Sequence, residues 1–149
     1  MAETVTRVPA VEGWFTTDAR EPRLIGARCP RCTTIVFPPR DGACPNPDCD
    51  SDTLERTELS RRGRIWSYTE NRYAPPPPYV AADPFEPYAL AAVELDDEGI
   101  VVLGRVVQGV HALDLRVGMP MQLELDTLHR DDEHAYVSYV WAPVTEATA

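Results

Sequence analysis

The chain has 149 residues, 44% of them hydrophobic, and carries 24 acidic against 14 basic side chains for a formal net charge of −10. A chain of this length buries roughly two-thirds of its unfolded surface, enough for one medium domain or two very small ones. No apolar run approaches the about 18 residues that a membrane-spanning helix needs. Residues 1–60 hold seven arginines and ten acids, and residues 61–149 hold seven and fourteen, so neither half offers the basic footprint that displaces counterions from nucleic acid. The first thirty residues lack the basic start, apolar centre and small-residue cleavage site of a secretory signal. The cytoplasm is therefore the expected compartment, with the four cysteines reduced.

In chain order, Val11, Trp14 and Phe15 recur at the i, i+3, i+4 spacing of one helical face, and Pro22 follows, which predicts a short helix over residues 11–20. Such an arm either covers the core or docks on another protein, and Trp and Phe suit both roles. From Leu24 to Asp52 the composition turns to Cys, Pro and Arg, with too few apolar residues to build a core unaided. Five short apolar or alternating runs follow at 64–72, 88–95, 100–107, 121–128 and 135–141. Separated by turn residues, they predict a small five-stranded antiparallel barrel or sandwich. Asp96-Asp97-Glu98-Gly99 reads as a hairpin loop with Gly99 at positive φ, residues 116–120 as a second turn, and residues 130–134 as the last hairpin. The expected division is an arm over 1–23, a cysteine-rich unit over 24–60 and a β domain over 61–149.

Two proline-rich stretches, residues 75–78 and 83–87, stiffen a long connection between the first two of these strands toward polyproline II. Tyr79, Val80 and Phe85 sit among those prolines, where a purely solvated loop would favour polar residues. A preorganised, partly apolar loop loses little entropy when it docks, so Tyr79 and Phe85 are candidate partner contacts, as are Trp14 and Phe15 on the arm.

The sharpest pattern is Cys29-Pro30-Arg31-Cys32 followed, after eleven residues, by Cys44-Pro45-Asn46-Pro47-Asp48-Cys49. Two short chelating loops brought together from two places in the chain supply a tetrahedral thiolate site. Zinc is the expected ion, and an iron site of rubredoxin type takes the same ligands. Two disulfides are the alternative, disfavoured in a reducing compartment. Four sulfur ligands leave no open coordination position, so the metal is structural, and its binding supplies folding free energy to a segment poor in apolar residues. Elsewhere His111 and His129 lie near strand ends and His134 in an acidic loop, all read as surface groups. No cysteine is left over as a nucleophile, and neither a phosphate-cradling glycine loop nor a Gly-x-Ser-x-Gly turn occurs, so no catalytic residue is assigned.

The order of Arg28-Cys29-Pro30-Arg31-Cys32, Phe37-Pro38-Pro39-Arg40, Cys44 and Cys49, then residues 63–69 (GRIWSYT), 87–95 (PYALAAVEL) and Val117-Gly118-Met119, resembles the thiolase-associated family known as domain of unknown function thirty-five, from about Val11 to Pro143. The resemblance implies a mainly β chain: a short N-terminal helix, a rubredoxin-like zinc ribbon, then a five-stranded OB-fold barrel. It implies a non-catalytic accessory subunit of a hetero-oligomer. The partner would be a thiolase-fold enzyme, either a thiolase or a sterol-carrier-type aldolase that cleaves acyl-CoA side chains, with this chain helping to form the acyl-CoA site. Arg72 and Arg105 are then candidates for the CoA phosphates, since guanidinium pairs bidentately with phosphate. Ordinary ion pairing with the many acids is the alternative. The chain departs from the family pattern at Thr33, where Gly is usual after the second cysteine, and in the four-residue gap of its second knuckle. Two readings of other classes are a zinc-ribbon and OB-fold nucleic-acid module, with Trp66, Tyr68 and Tyr73 stacking bases, and an independent acyl-CoA-binding protein or hydrolase.

Overall fold

The computed structural model of the chain describes residues 6–18, 20–74 and 85–144, so Tyr79 and Val80 lie outside the described residues. The described residues form nine strands: β1 (Thr6–Pro9), β2 (Ile25–Arg28), β3 (Ile35–Val36), β4 (Glu55–Glu58), β5 (Arg62–Asn71), β6 (Tyr88–Leu95), β7 (Val101–Val106), β8 (Pro120–Arg130) and β9 (His134–Pro143). The five predicted runs are β5 to β9, each end placed within two residues. Among the described residues no helix is long and apolar enough to cross a membrane.

β5 to β9 close on themselves. β5 pairs antiparallel with β6, β6 with β7, and β8 with both β9 and β5. The remaining seam joins β7 to β9 in parallel, at Arg105 with Val140 and Val106 with Trp141, so the barrel is not wholly antiparallel as expected. A parallel seam needs a crossover rather than a hairpin, and residues 107–133 supply it through a 3-10 turn at Ala112–Asp114, β8 and the last hairpin. This closed mixed order is the OB-fold. β1 adds a parallel strand to the first half of β9, from Thr6 with His134 to Pro9 with Val137, along the edge that β7 takes over at Val140. It went unpredicted because four residues ending in proline show no alternation. Inside the barrel, β6 buries Ala89, Ala91, Val93 and Leu95 at alternate positions, as a strand with one face on the core must. Trp141 is fully buried at the centre beside Gly104, where an added Cβ would lie 2.8 Å from the indole.

β2, β3 and β4 form a separate three-stranded sheet of very short strands. It is seated on the barrel by Leu24 and Leu59, both fully buried in the common core and joined by the Leu59 N–H to the Leu24 carbonyl at 2.8 Å. Arg61 ties the same seam to the barrel, donating to the carbonyls of Pro22 at 3.0 Å and Leu123 at 3.3 Å.

The helix expected over residues 11–20 does not form. Gly13 turns the chain at φ 84°, and residues 14–16 run extended against 23–25, with the Ile25 N–H on the Trp14 carbonyl at 2.7 Å and the Thr16 N–H on the Arg23 carbonyl at 2.8 Å. In a helix Trp14 and Phe15 would flank one face; in an extended chain consecutive side chains point to opposite sides. Trp14 therefore packs edge-on against Phe37 of the ribbon sheet's side, at 5.6 Å between centroids, while Phe15 enters the barrel core against Tyr139 at 6.1 Å. Phe37 in turn meets Tyr139 at 6.0 Å. The segment is a bracket between the two sheets, and Phe15, only 4% exposed, is no part of an exposed arm.

Candidate metal centre and adjoining grooves

The two cysteine pairs stand at the tips of two loops, one between β2 and β3 and the other between β3 and β4. All four Sγ atoms lie within 4.8 Å of one another, with Cys29 to Cys49 at 3.7 Å and Cys32 to Cys44 at 3.5 Å. A tetrahedral ion with bonds of about 2.3 Å to sulfur sets its ligands about 3.8 Å apart, so the cage has the right size. In each loop the first cysteine accepts an N–H from two residues on: Arg31 to Cys29 at 3.4 Å and Asn46 to Cys44 at 3.5 Å. These amides aim positive dipoles at the sulfurs and favour thiolate. Thr33 turns the first loop at φ 67°, the left-handed region that glycine takes without strain, and its N–H closes the turn on the Cys29 carbonyl at 3.1 Å.

The four thiols differ in acidity. The Thr34 hydroxyl, 3.1 Å from the sulfur, together with the Thr34 N–H, holds Cys32 down to about 6. Cys29 is lowered too, chiefly by the Cys32 N–H. Cys44 is pushed up to about 11: the Asn46 N–H acts to lower it, but burial and the neighbouring sulfurs outweigh that. Cys49 is raised in the same way against the Ser51 N–H. Crowded thiols cannot all ionise together, and a divalent cation at their centre removes the conflict by taking each as thiolate. The donor set thus fits a closed structural ion. Sequence reasoning missed Thr34, although a hydroxyl two residues past a knuckle cysteine was signal enough.

The other candidate residues lie across the barrel. Arg105 stacks on the Tyr88 ring, its guanidinium carbon 4.2 Å from the centroid, and Phe85 meets the same ring edge-on at 6.1 Å. Arg105 stands in the wall between two grooves. One, of about 350 Å³, is lined by Trp14, Phe15, Gln108, Asp126, Ser138 and Tyr139 among others; the second, of about 410 Å³, by Glu86, Tyr88, Val107 and His111. Arg72 pairs with Glu70 at 3.3 Å and lines neither groove. Glu70 also accepts from His111 Nδ1 at 2.8 Å, and that hydrogen bond is the main reason its carboxyl is held below the usual range. Tyr88 orients Arg105 and was likewise not singled out from sequence.

Residues 16–55 match the family model of the ChsH2 rubredoxin-like zinc ribbon domain, and residues 56–126 that of the ChsH2 C-terminal OB-fold domain. A DUF35 domain-containing scaffold protein of Methanocaldococcus jannaschii is 31% identical over 120 residues, spanning 78% of this chain and 77% of the relative. The chain belongs to the DUF35 family. A probable enoyl-CoA hydratase alpha subunit of Thermomonospora curvata is 33% identical over 120 residues, which is 80% of this DUF35 chain but 34% of that subunit. Benzoylsuccinyl-CoA thiolase subunit BbsA of Thauera aromatica is 39% identical over 54 residues, 36% of this chain and 35% of the relative. Among solved structures, a chain of the Ltp2-ChsH2(DUF35) aldolase superposes with a TM-score of 0.59 at 32% identity, covering 81% of this chain and 84% of that one.

Proposed function

We propose that this DUF35 chain is a non-catalytic accessory subunit of a hetero-oligomer whose enzyme is a thiolase-fold protein acting on acyl-CoA, either a thiolase or an aldolase that cleaves the side chain of a sterol-derived thioester. The observation that carries the reading is the match across both ribbon and barrel to a subunit of an aldolase, with relatives named as a scaffold protein and as a thiolase subunit. The residues fit that role. The four-cysteine cage is closed, so Cys29, Cys32, Cys44 and Cys49 hold one structural zinc and leave it no position for substrate. The zinc supplies cross-linking of two loops; the chain's own N–H groups and the Thr34 hydroxyl orient the sulfurs.

Acyl-CoA enters this reading at Arg105. A guanidinium held over the Tyr88 ring is preorganised, and placed between two grooves it is available to a phosphate without giving up its aromatic partner. Arg72, already committed to Glu70, is the weaker candidate. The test is co-production with thiolase-fold and aldolase proteins of the same organism, followed by sizing and assay. A stable complex whose activity exceeds that of the enzyme alone is expected. Separate elution together with an equally active lone enzyme refutes the proposal. Within an active complex, Arg105→Ala should raise KM for acyl-CoA about tenfold with little change in kcat if the side chain meets phosphate.

A further inference from the structure

We propose that the side of the barrel formed by β5 and the crossover turn is the docking surface for the enzyme subunit, and that it fits a protein face apolar at its centre and rimmed with carboxylates. The inference rests on the accessory-subunit reading and adds the surface and the partner's chemistry to it.

The surface is assembled from two stretches of chain. Residues 111–118 run alongside β5: at one end the Glu70 carboxylate accepts from His111 Nδ1 at 2.8 Å and from the Ala112 N–H at 3.4 Å. At the other, the Gly118 N–H donates to the Ile65 carbonyl at 2.8 Å, the Ile65 N–H to the Met119 carbonyl at 2.9 Å, and Arg64 to the Gly118 carbonyl at 3.0 Å. Along this pairing stand Leu113, 99% exposed, Val117, 68% exposed, and Trp66, 62% exposed. Trp66 sits in the bulge of β5, where the register with β6 slips between Ile65 and Ser67, and a bulge re-aims the side chain it carries. Solitary exposed apolar residues are ordinary, but here three large ones are strung along one pinned edge. The pins matter energetically. The 3-10 turn that bears Leu113 is closed by Asp114, whose carboxylate accepts the His111 N–H at 3.0 Å, so ordering has already been met before docking.

Charge selects the partner. Residues 62–73 and 111–118 contain four arginines, Arg62, Arg64, Arg72 and Arg116, against two carboxylates, Glu70 and Asp114, in a chain that is otherwise strongly acidic. Both carboxylates are occupied within the patch. These two stretches therefore carry a net positive charge, diluted by Glu94 opposite Arg64 on β6, where the rest of the chain is anionic, which steers an acidic partner to this side. A single-stranded nucleic acid fits less well, because Leu113 and Val117 offer no face on which a base stacks.

The full chain, co-produced with the acyl-CoA enzyme of the complex, decides the matter. Trp66→Ala combined with Leu113→Ser should weaken the complex at least tenfold with zinc content and melting temperature unchanged, both side chains being exposed. Arg116→Glu should slow association several-fold and flatten its dependence on salt. Asp132→Asn, in the exposed hairpin between β8 and β9, should leave affinity as it was. A complex that tolerates the double substitution overturns the docking surface and leaves the accessory role standing. No complex with the unaltered chain refutes both. Saturable quenching by oligothymidylate that disappears with Trp66→Ala, or a homodimer of the unaltered chain that the double substitution dissolves, would reassign the patch to nucleic acid or to a second copy and overturn the inference.

Discussion

The ribbon buries little more than Ala27 and Cys29 within its own sheet, between strands of two to four residues, whereas the barrel encloses Ile65, Val93, Leu95, Val106, Met121 and Leu123 around Trp141. At roughly 25 cal/mol per Å² of apolar surface removed from water, the barrel supports itself and the ribbon does not. What the ribbon lacks in apolar area it obtains from a metal cage on one side and from a seam on the other, where Leu24, Leu59 and the Trp14–Phe37–Tyr139 contacts join it to the barrel. Two β units in one short chain thus depend on different physics, and perturbations should separate them.

The largest effect falls on the cage. Cys29→Ala should abolish zinc binding and disorder residues 29–50, because structural zinc sites contribute on the order of 10 kcal/mol to the folds they close. Amide exchange should show the loss confined to the ribbon with barrel protection kept; a barrel that unfolds with it would mean one cooperative unit. The complementary break is Trp141→Ala, expected to cost about 3–5 kcal/mol. Since the indole N–H has no hydrogen-bond partner among the described atoms, that cost is packing alone. Denaturant unfolding should lose the barrel while zinc stays bound in mild conditions.

The seam is measured by a double-mutant cycle between Phe37→Leu and Tyr139→Leu, where an edge-on aromatic pair contributes about 0.5–1.5 kcal/mol of coupling. Coupling near zero would show that Leu24 and Leu59 hold the units together without the rings. Thr33→Gly should stabilise the ribbon by about 0.5–1 kcal/mol, since a β-branched residue at φ 67° is strained, and resistance to a chelator is the readout. Weaker zinc retention would show the Thr33 side chain to be needed.

The smallest effect is on pH, at the barrel's far hairpin. The N–H groups of His134 and Glu133 hold the Asp131 carboxyl below its usual range. A depressed carboxylate adds stability above its ordinary value of about 4 and gives it up as pH falls through the lower folded value. Exchange protection at residues 130–135, taken against the intrinsic rate at each pH, should therefore be steady from pH 8 to 5 and fall below about 4, while Asp131→Asn removes the dependence. Protection that already falls between pH 8 and 5 would show that Asp131 is not the controlling group.

Much of the barrel was legible because each strand repeats apolar residues at the period its burial demands, and because Gly99 takes φ 73° in the predicted hairpin. The cysteine pairs were legible because chelation is local. The helix over residues 11–20 failed on a genuine ambiguity: i, i+3, i+4 spacing does not distinguish a helical face from an extended chain that sends neighbours to opposite partners, and Gly13 decided for the latter. Arg105 and Arg72 looked alike in sequence, yet one stacks on Tyr88 and the other pairs with Glu70.

By itself, then, the sequence determined what short-range rules govern: strand positions, turn residues, the ligand spacing of the cage and the acid excess. Tertiary structure alone decided the parallel seam of β7 on β9, the addition of β1, the burial of Phe15, and the pinning of residues 111–118 alongside β5. Each of these joins residues far apart in the chain. Such a pairing is chosen by the shape of the whole core and by the barrel's need to leave no unpaired edge, and neither is written in any one segment.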